Sequence, residues 1–62
     1  MPQKYSAIER RIMRLLYQAK APLTAFEIAK MIGVSFPTAQ KYLKKLTEKK
    51  ILILDEENET YR

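Results

Sequence analysis

Gly33 is the single glycine of the chain, and it stands in Ile32-Gly33-Val34-Ser35, between two segments whose apolar residues recur at helical spacing. A helix that must stop and turn at once is best served by a residue that adopts a positive φ without a Cβ clash. The position therefore predicts two helices joined by a tight turn, with Val34 plugging the turn into the core. The segment before it opens on Thr24-Ala25-Phe26-Glu27. In this capping box the Thr oxygen and the Glu carboxylate satisfy amides that the first turn leaves without partners. Leu23 is placed to staple against Ile28, and Ala25, Ile28, Ala29 and Ile32 form one buried side of a helix expected over about 24–32. After the turn, Ser35 is the expected cap of a helix over about 35–49, and Pro37 is tolerated in its first turn. A cap at Phe36 is the alternative, because a residue before proline avoids helical angles. Ala39, Leu43 and Leu46 make the inward stripe, while Gln40, Lys41, Lys44 and Lys45 fall on the opposite arc.

Two further elements flank this pair. Ser6-Ala7-Ile8-Glu9 is a second capping box, followed by Ile8, Ile12, Leu15, Leu16 and Ala19 on one helical face. A helix is expected over about 6–20, ended by Ala21-Pro22. Ile51-Leu52-Ile53-Leu54 has β-branched residues at alternate positions, and after the acidic turn Asp55-Glu56-Glu57-Asn58 the chain can pair back through Arg62. A β-hairpin over about 51–62 follows. With no repeat and no linker, residues 1–62 are read as one domain, mostly α with a small β-hairpin.

At 62 residues a chain buries only about 60% of the surface that its unfolded state exposes, so its stability is marginal without help. Disulfides and metals are the usual staples, yet there is neither Cys nor His, which leaves association as the cheap remaining one. The same absence removes the common general base and the common soft nucleophile, and no inward-facing carboxylate pair replaces them. The expectation is a protein that is not an enzyme, with no metal and no cofactor. No run approaches the roughly 18 apolar residues of a membrane span. Met1-Pro2-Gln3-Lys4 leads into an amphipathic segment rather than a signal peptide, so the chain is expected to be soluble and cytoplasmic, with no membrane partner. Charge is divided unevenly: residues 1–50 carry eleven Lys or Arg against three Glu, a balance of +8, whereas residues 51–62 carry one Arg against four acids, a balance of −3. A basic body thus bears an acidic tip, a distribution suited to a polyanionic partner on the body alone.

The stretch LTAFEIAKMIGVSFPTAQKYLKKL, Leu23 to Leu46, with the hairpin that follows, resembles the winged helix-turn-helix family of archaeal and bacterial transcription regulators. The likeness covers nearly the whole chain as a pattern of residue types at matching spacing. It implies three helices and a two-stranded wing, and a sequence-specific, double-stranded DNA-binding regulator, nucleoid-associated in the cytoplasm. It also implies that the helix after Gly33 enters the major groove. Carried over residue by residue, Ser35 and Thr38 would touch phosphates at the helix N-terminus. Gln40 and Lys41 would face base edges, Lys44 and Lys45 would lie nearer the backbone, and Thr24 would anchor the preceding helix to a phosphate.

Three residues or groups depart from the family pattern. The wing tip is acidic where Arg or Lys is usual, and phosphate would repel it. Lys50 takes the place of the glycine that normally closes the recognition helix, so either it is left-handed at a cost near 1 kcal/mol or the helix ends differently. Phe36 replaces a polar group, and it either packs on a thymine methyl as part of the DNA contact or folds back over the turn. On the first helix, Met13 and Tyr17 form a second stripe, which with Tyr5 and whichever of Leu52 and Leu54 faces outward is the expected homodimer interface. The competing function is a protein-interaction winged helix within a transcription or replication assembly, its partner docking through Phe26 and the acidic wing.

Overall fold

A computed structural model of the chain describes residues 5–62, so the reading of Met1 to Lys4 lies outside the described residues. Three helices and a small sheet make up the fold, in the order α1 Ala7–Gln18, β1 Leu23–Thr24, α2 Ala25–Ile32, α3 Phe36–Glu48, β2 Leu54–Asp55 and β3 Thr60–Tyr61. Both capping boxes close in both directions. Ser6 Oγ accepts the Glu9 N–H at 3.2 Å while Glu9 Oε1 accepts the Ser6 N–H at 2.8 Å, and Thr24 with Glu27 does the same at 3.1 and 2.9 Å. Helix α1 stops at Gln18, short of Pro22, because Ala19 turns to an extended conformation at φ −69° and ψ 140°.

Strand β1 is an addition to the hairpin expected from the sequence. The antiparallel sheet has the order β1-β3-β2, pairing Leu23 with Tyr61 and Thr24 with Thr60 on one side, and Leu54 with Tyr61 and Asp55 with Thr60 on the other. Through β1 the hairpin is tied to the residue that caps α2, so the wing and the helix pair share one frame. Pairing begins at Leu54 rather than Ile51, although the main chains of Ile53 and Arg62 also exchange hydrogen bonds at 2.8 and 3.1 Å.

Ile12, Ile28, Leu43 and Leu46 are fully buried at the centre of a cluster that also contains Ala25, Ile32 and Leu52. Each such side chain contributes roughly 1.5–3 kcal/mol through removal from water. Val34 packs half-buried against this cluster from the turn. The expectation that Leu52 or Leu54 faces away from the body is corrected: Leu52 is buried and Leu54 half-buried, whereas Ile51 and Ile53 are exposed. The β-branched residues lie outward because Leu52, in the turn out of α3, reaches the hydrophobic cluster first and sets the alternation.

Two helix ends use left-handed residues. Gly33 has φ 77°, and its N–H and that of Val34 both donate to Ala29 O at 3.0 Å. Lys50 has φ 61°; its N–H donates to Thr47 O and the Ile51 N–H to Leu46 O, each at 3.0 Å. This is the Schellman pairing with lysine in the glycine place, and it selects the first of the two alternatives for Lys50.

Glu9, the capping residue of α1, is also the buried charge of the structure at 5% exposure. Its Oε2 is buried without a hydrogen-bond partner. The Ser6 N–H bond holds its pKa below the ordinary 4.5 against the opposing effect of burial, helped by the Ser6 hydroxyl and the charges of Lys49 and Lys45.

No atom lies within 4 Å of a Cβ added at Gly33, so Gly33→Ala is opposed by backbone conformation alone and should destabilise by about 1–2 kcal/mol. Lys50→Gly should stabilise by up to about 1 kcal/mol, with both shifts read from urea midpoints. For Glu9, a folded pKa below 4.5 means that its stabilisation is complete above the unfolded value and is lost as pH falls through the folded one. Glu9→Gln should therefore lose less stability than wild type between about pH 6 and pH 3; equal losses would show that Glu9 titrates alike in both states.

Candidate nucleic-acid interface

The N-terminus of α3 is set by two hydroxyls. Ser35 Oγ accepts the Thr38 N–H at 3.4 Å and donates its own proton to Thr38 Oγ1 at 2.8 Å. Thr38 thereby keeps its own O–H for an outside acceptor. Thr24 is similar: its oxygen accepts the Glu27 N–H, and its O–H remains available as a donor. The cap lies at Ser35 rather than Phe36, and Pro37 sits in the first turn, where its missing N–H costs nothing.

Beyond this turn the 100° step of the helix sorts the polar side chains. Ala39, Leu43 and Leu46 are buried, and Gln40, Lys41, Lys44 and Lys45 are all exposed. The structure divides the lysines further than the sequence did. Gln40, Lys41 and Lys44 line a concave surface of about 500 Å³ between α3 and the hairpin, with Leu54 and Tyr61 on its far wall. Lys45 lies on the other flank, its Nζ 5.7 Å from the Tyr42 ring centroid, while Lys41 reaches the same ring at 5.8 Å. Lys49, which sequence reasoning passed over, places Nζ 5.0 Å from the Tyr5 ring. Lys45 and Lys49 are thus the two cations that Glu9 feels. Glu48 also lines the concave surface, one turn after Lys44; the i, i+4 spacing carried that signal.

Phe36 is 42% exposed and Phe26 is 65% exposed. Both line a second cleft, adjoining the first, between the starts of α2 and α3 and the hairpin. Phe36 is therefore neither fully folded back over the turn nor fully extended. The acidic turn is itself ordered by Asp55, whose Oδ1 accepts the N–H groups of Glu57 and Asn58 at 3.1 and 3.3 Å and whose Oδ2 accepts the Asn58 amide at 2.9 Å. The Asn58 bonds hold the Asp55 carboxyl below its usual range, so the tip keeps its negative charge. Tyr17 on α1 is 91% exposed, whereas Met13 on α1 and Tyr5 just before it are half-buried against their own core. The three residues expected at a dimer interface do not form one uniformly open stripe.

Among the described residues there is no group of three or more His, Cys, Asp or Glu placed to hold a metal ion, and no helix is long and apolar enough to cross a membrane. A family model described as an HTH domain matches residues 9–62. Comparison with curated proteins and with solved structures finds no match. The matched span contains most of α1, the whole α2-turn-α3 unit and the sheet: the chain belongs to the HTH domain family of helix-turn-helix DNA-binding domains, in its winged form.

Proposed function

We propose that the protein is a sequence-specific regulator of transcription that binds double-stranded DNA as a homodimer, with α3 in the major groove. The observation that carries this reading is the exposed row of Gln40, Lys41 and Lys44 on one concave surface, braced from behind by buried Leu43 and Leu46. A helix held on one side by core packing and bearing an amide and two ammonium groups on the other suits the groove, with Gln40 and Lys41 toward base edges and Lys44 toward the phosphate backbone. Gln bridges adenine N6 and N7, and Lys reaches guanine O6 or N7. Lys45, on the flank, is placed for a phosphate. Thr38 and Thr24 offer their O–H groups to phosphates at the helix starts, beside Ser35, whose own hydroxyl proton is already donated to Thr38. Phe36 meets a thymine methyl at the rim. Glu56, Glu57 and Glu59 keep the wing tip off the phosphates, so the base-reading work falls to α3.

The homodimer is proposed through Tyr17 of α1, with Tyr5 and Met13 at its margin. An aromatic side chain that is 91% exposed on a domain this small is a contact in search of a partner, and two-fold pairing would set two recognition helices about 34 Å apart along the duplex. The second reading, a protein-docking module in a transcription or replication assembly, is favoured by Phe26 and the acidic wing meeting at one cleft.

Mobility shifts on a duplex selected from random oligonucleotides test the first reading. With about 6–10 phosphate contacts per dimer, affinity should fall about a thousandfold or more between roughly 50 and 200 mM salt. Lys41→Ala should cost about 1–3 kcal/mol and relax sequence preference, while Lys44→Ala should weaken all duplexes alike and reduce the salt slope by about 1. Binding that is flat in salt and untouched by both substitutions would refute the assignment of α3, and no shift of any duplex would favour the docking module. Sedimentation should show a dimer that Tyr17→Arg converts to a monomer with its helical content intact.

A further inference from the structure

We infer that the cleft between the starts of α2 and α3 and the hairpin is a binding site for a lipophilic organic cation, such as an aromatic or alkyl quaternary onium. The cleft, open to solvent along one side, offers about 520 Å³, within the range of roughly 300–1,000 Å³ occupied by small-molecule sites. Its walls are Phe26, Phe36, Leu54 and Tyr61, and the charged groups on its lining are Glu56 and Glu59. In a chain with twelve Lys and Arg and a net charge of +5, no Lys or Arg lines this cleft among the described residues. Thr24, Gln40 and Phe36 mark its edge toward the proposed DNA surface, while the charges it carries are negative, the reverse of the adjoining lysine-lined surface.

The aromatic side chains and the two carboxylates that line the cleft act on the same class of guest. A ring face carries the negative part of its quadrupole, so it attracts a cation while also offering apolar area, and a nearby carboxylate adds charge complementarity. A neutral apolar guest would gain only the burial, and an anion would be repelled by Glu56 and Glu59. A strongly hydrated cation such as an inorganic ion would forfeit its water without gaining oxygen ligands enough to replace it. What remains is a cation whose charge is buried under carbon. The site is built rather than incidental. Pairing of Leu54 with Tyr61 fixes one wall, the cap at Ser35 fixes Phe36 on the first residue of α3, and the Thr24–Glu27 capping box fixes Phe26 on the first turn of α2. Glu59 is held at the end of the turn by its own left-handed backbone at φ 55°. Phe26, at 65% exposure, supplies the largest uncovered apolar area of the four.

The test uses the isotope-labelled protein without DNA, so its outcome is independent of the proposed DNA contact. Tetraphenylphosphonium is titrated while amide shifts are followed, with neutral triphenylphosphine oxide as the uncharged comparison. The expected result is saturable shifts centred on residues 24–26, 36–40 and 54–61, with affinity for the phosphonium at least about tenfold above the neutral compound. Glu56→Gln with Glu59→Gln together should weaken phosphonium binding about fivefold or more and leave the neutral compound unaffected, and Phe26→Ala should weaken both. All these positions are solvent-exposed, so the variants are expected to fold, and their spectra check this directly. Shifts centred on another part of the molecule, equal affinity for the two compounds, or indifference to the paired glutamine substitution would each overturn the inference.

Discussion

Packing of α2 against α3 across the turn at Gly33 fixes everything that faces outward. Ile28 and Ile32 from one helix meet Leu43 and Leu46 from the other in a cluster to which α1 adds Ile12 and the turn after α3 adds Leu52. Because four of these six are fully buried, rotating α3 about its axis would lift at least one of them into water at roughly 1.5–3 kcal/mol. That cost is what keeps Gln40, Lys41 and Lys44 on the open side. The polar face of α3 is thus positioned by the apolar one, and the left-handed residue at Gly33 lets two helices approach closely enough for both to join a single core.

The arrangement places unlike chemistries side by side. Along the groove beside the hairpin, the half lined by Lys41 and Lys44 suits a polyanion, while the half lined by Glu56 and Glu59 repels one. Gln40, Leu54 and Tyr61 belong to both halves. The sheet causes this juxtaposition: β3 pairs with both β1 and β2, so the acidic turn between β2 and β3 is carried beside the helix pair instead of projecting alone. In the usual family pattern a basic tip in this place would continue the phosphate-binding surface. Here the lining changes from lysine to glutamate over a short distance, so in the proposed complex most of the DNA backbone would lie toward the lysine side, with Thr24 at the margin.

What the sequence made legible was local chemistry. Both capping boxes, the Ser35 cap, the left-handed Gly33 and the inward stripe of α3 each rest on interactions within one or two helical turns, and residue type and spacing encode those directly. Strand β1 could not be read the same way: it is two residues long, shows no alternation, and exists because Tyr61, distant in sequence, completes its pairing. The outward facing of Ile51 and Ile53 depends on where the turn after α3 delivers Leu52, a geometry set by Lys50 at φ 61°. At Glu9 the capping role was evident from the motif, but its burial and the nearby charges of Lys45 and Lys49 were not, since those depend on how α1 packs against α3. On the interface, the exposure of the lysines was legible and their separation into a groove pair and a flank pair was not. The hairpin, whose Leu54 and Tyr61 form the far wall beside Lys41 and Lys44, comes from another part of the chain.

The same face of α1 that offers Tyr17 also sets conditions on the proposed dimer. Arg10 and Arg14 precede Tyr17 by seven and three residues, which at about 100° per residue puts them within roughly 60° of it around the helix, and both are exposed. A two-fold contact centred on Tyr17 brings two such arginine pairs toward each other, a like-charge approach that opposes association at low salt and is screened as salt rises. Groove binding by α3 responds in the opposite sense, because added salt removes the gain from counterion release. Dimerisation and DNA affinity, taken on their own, therefore run in opposite directions with ionic strength. Coupling them would reconcile the two: in the proposed complex a polyanion held by both α3 helices would supply the negative potential that offsets the arginines, and the dimer would be held more tightly on DNA than off it.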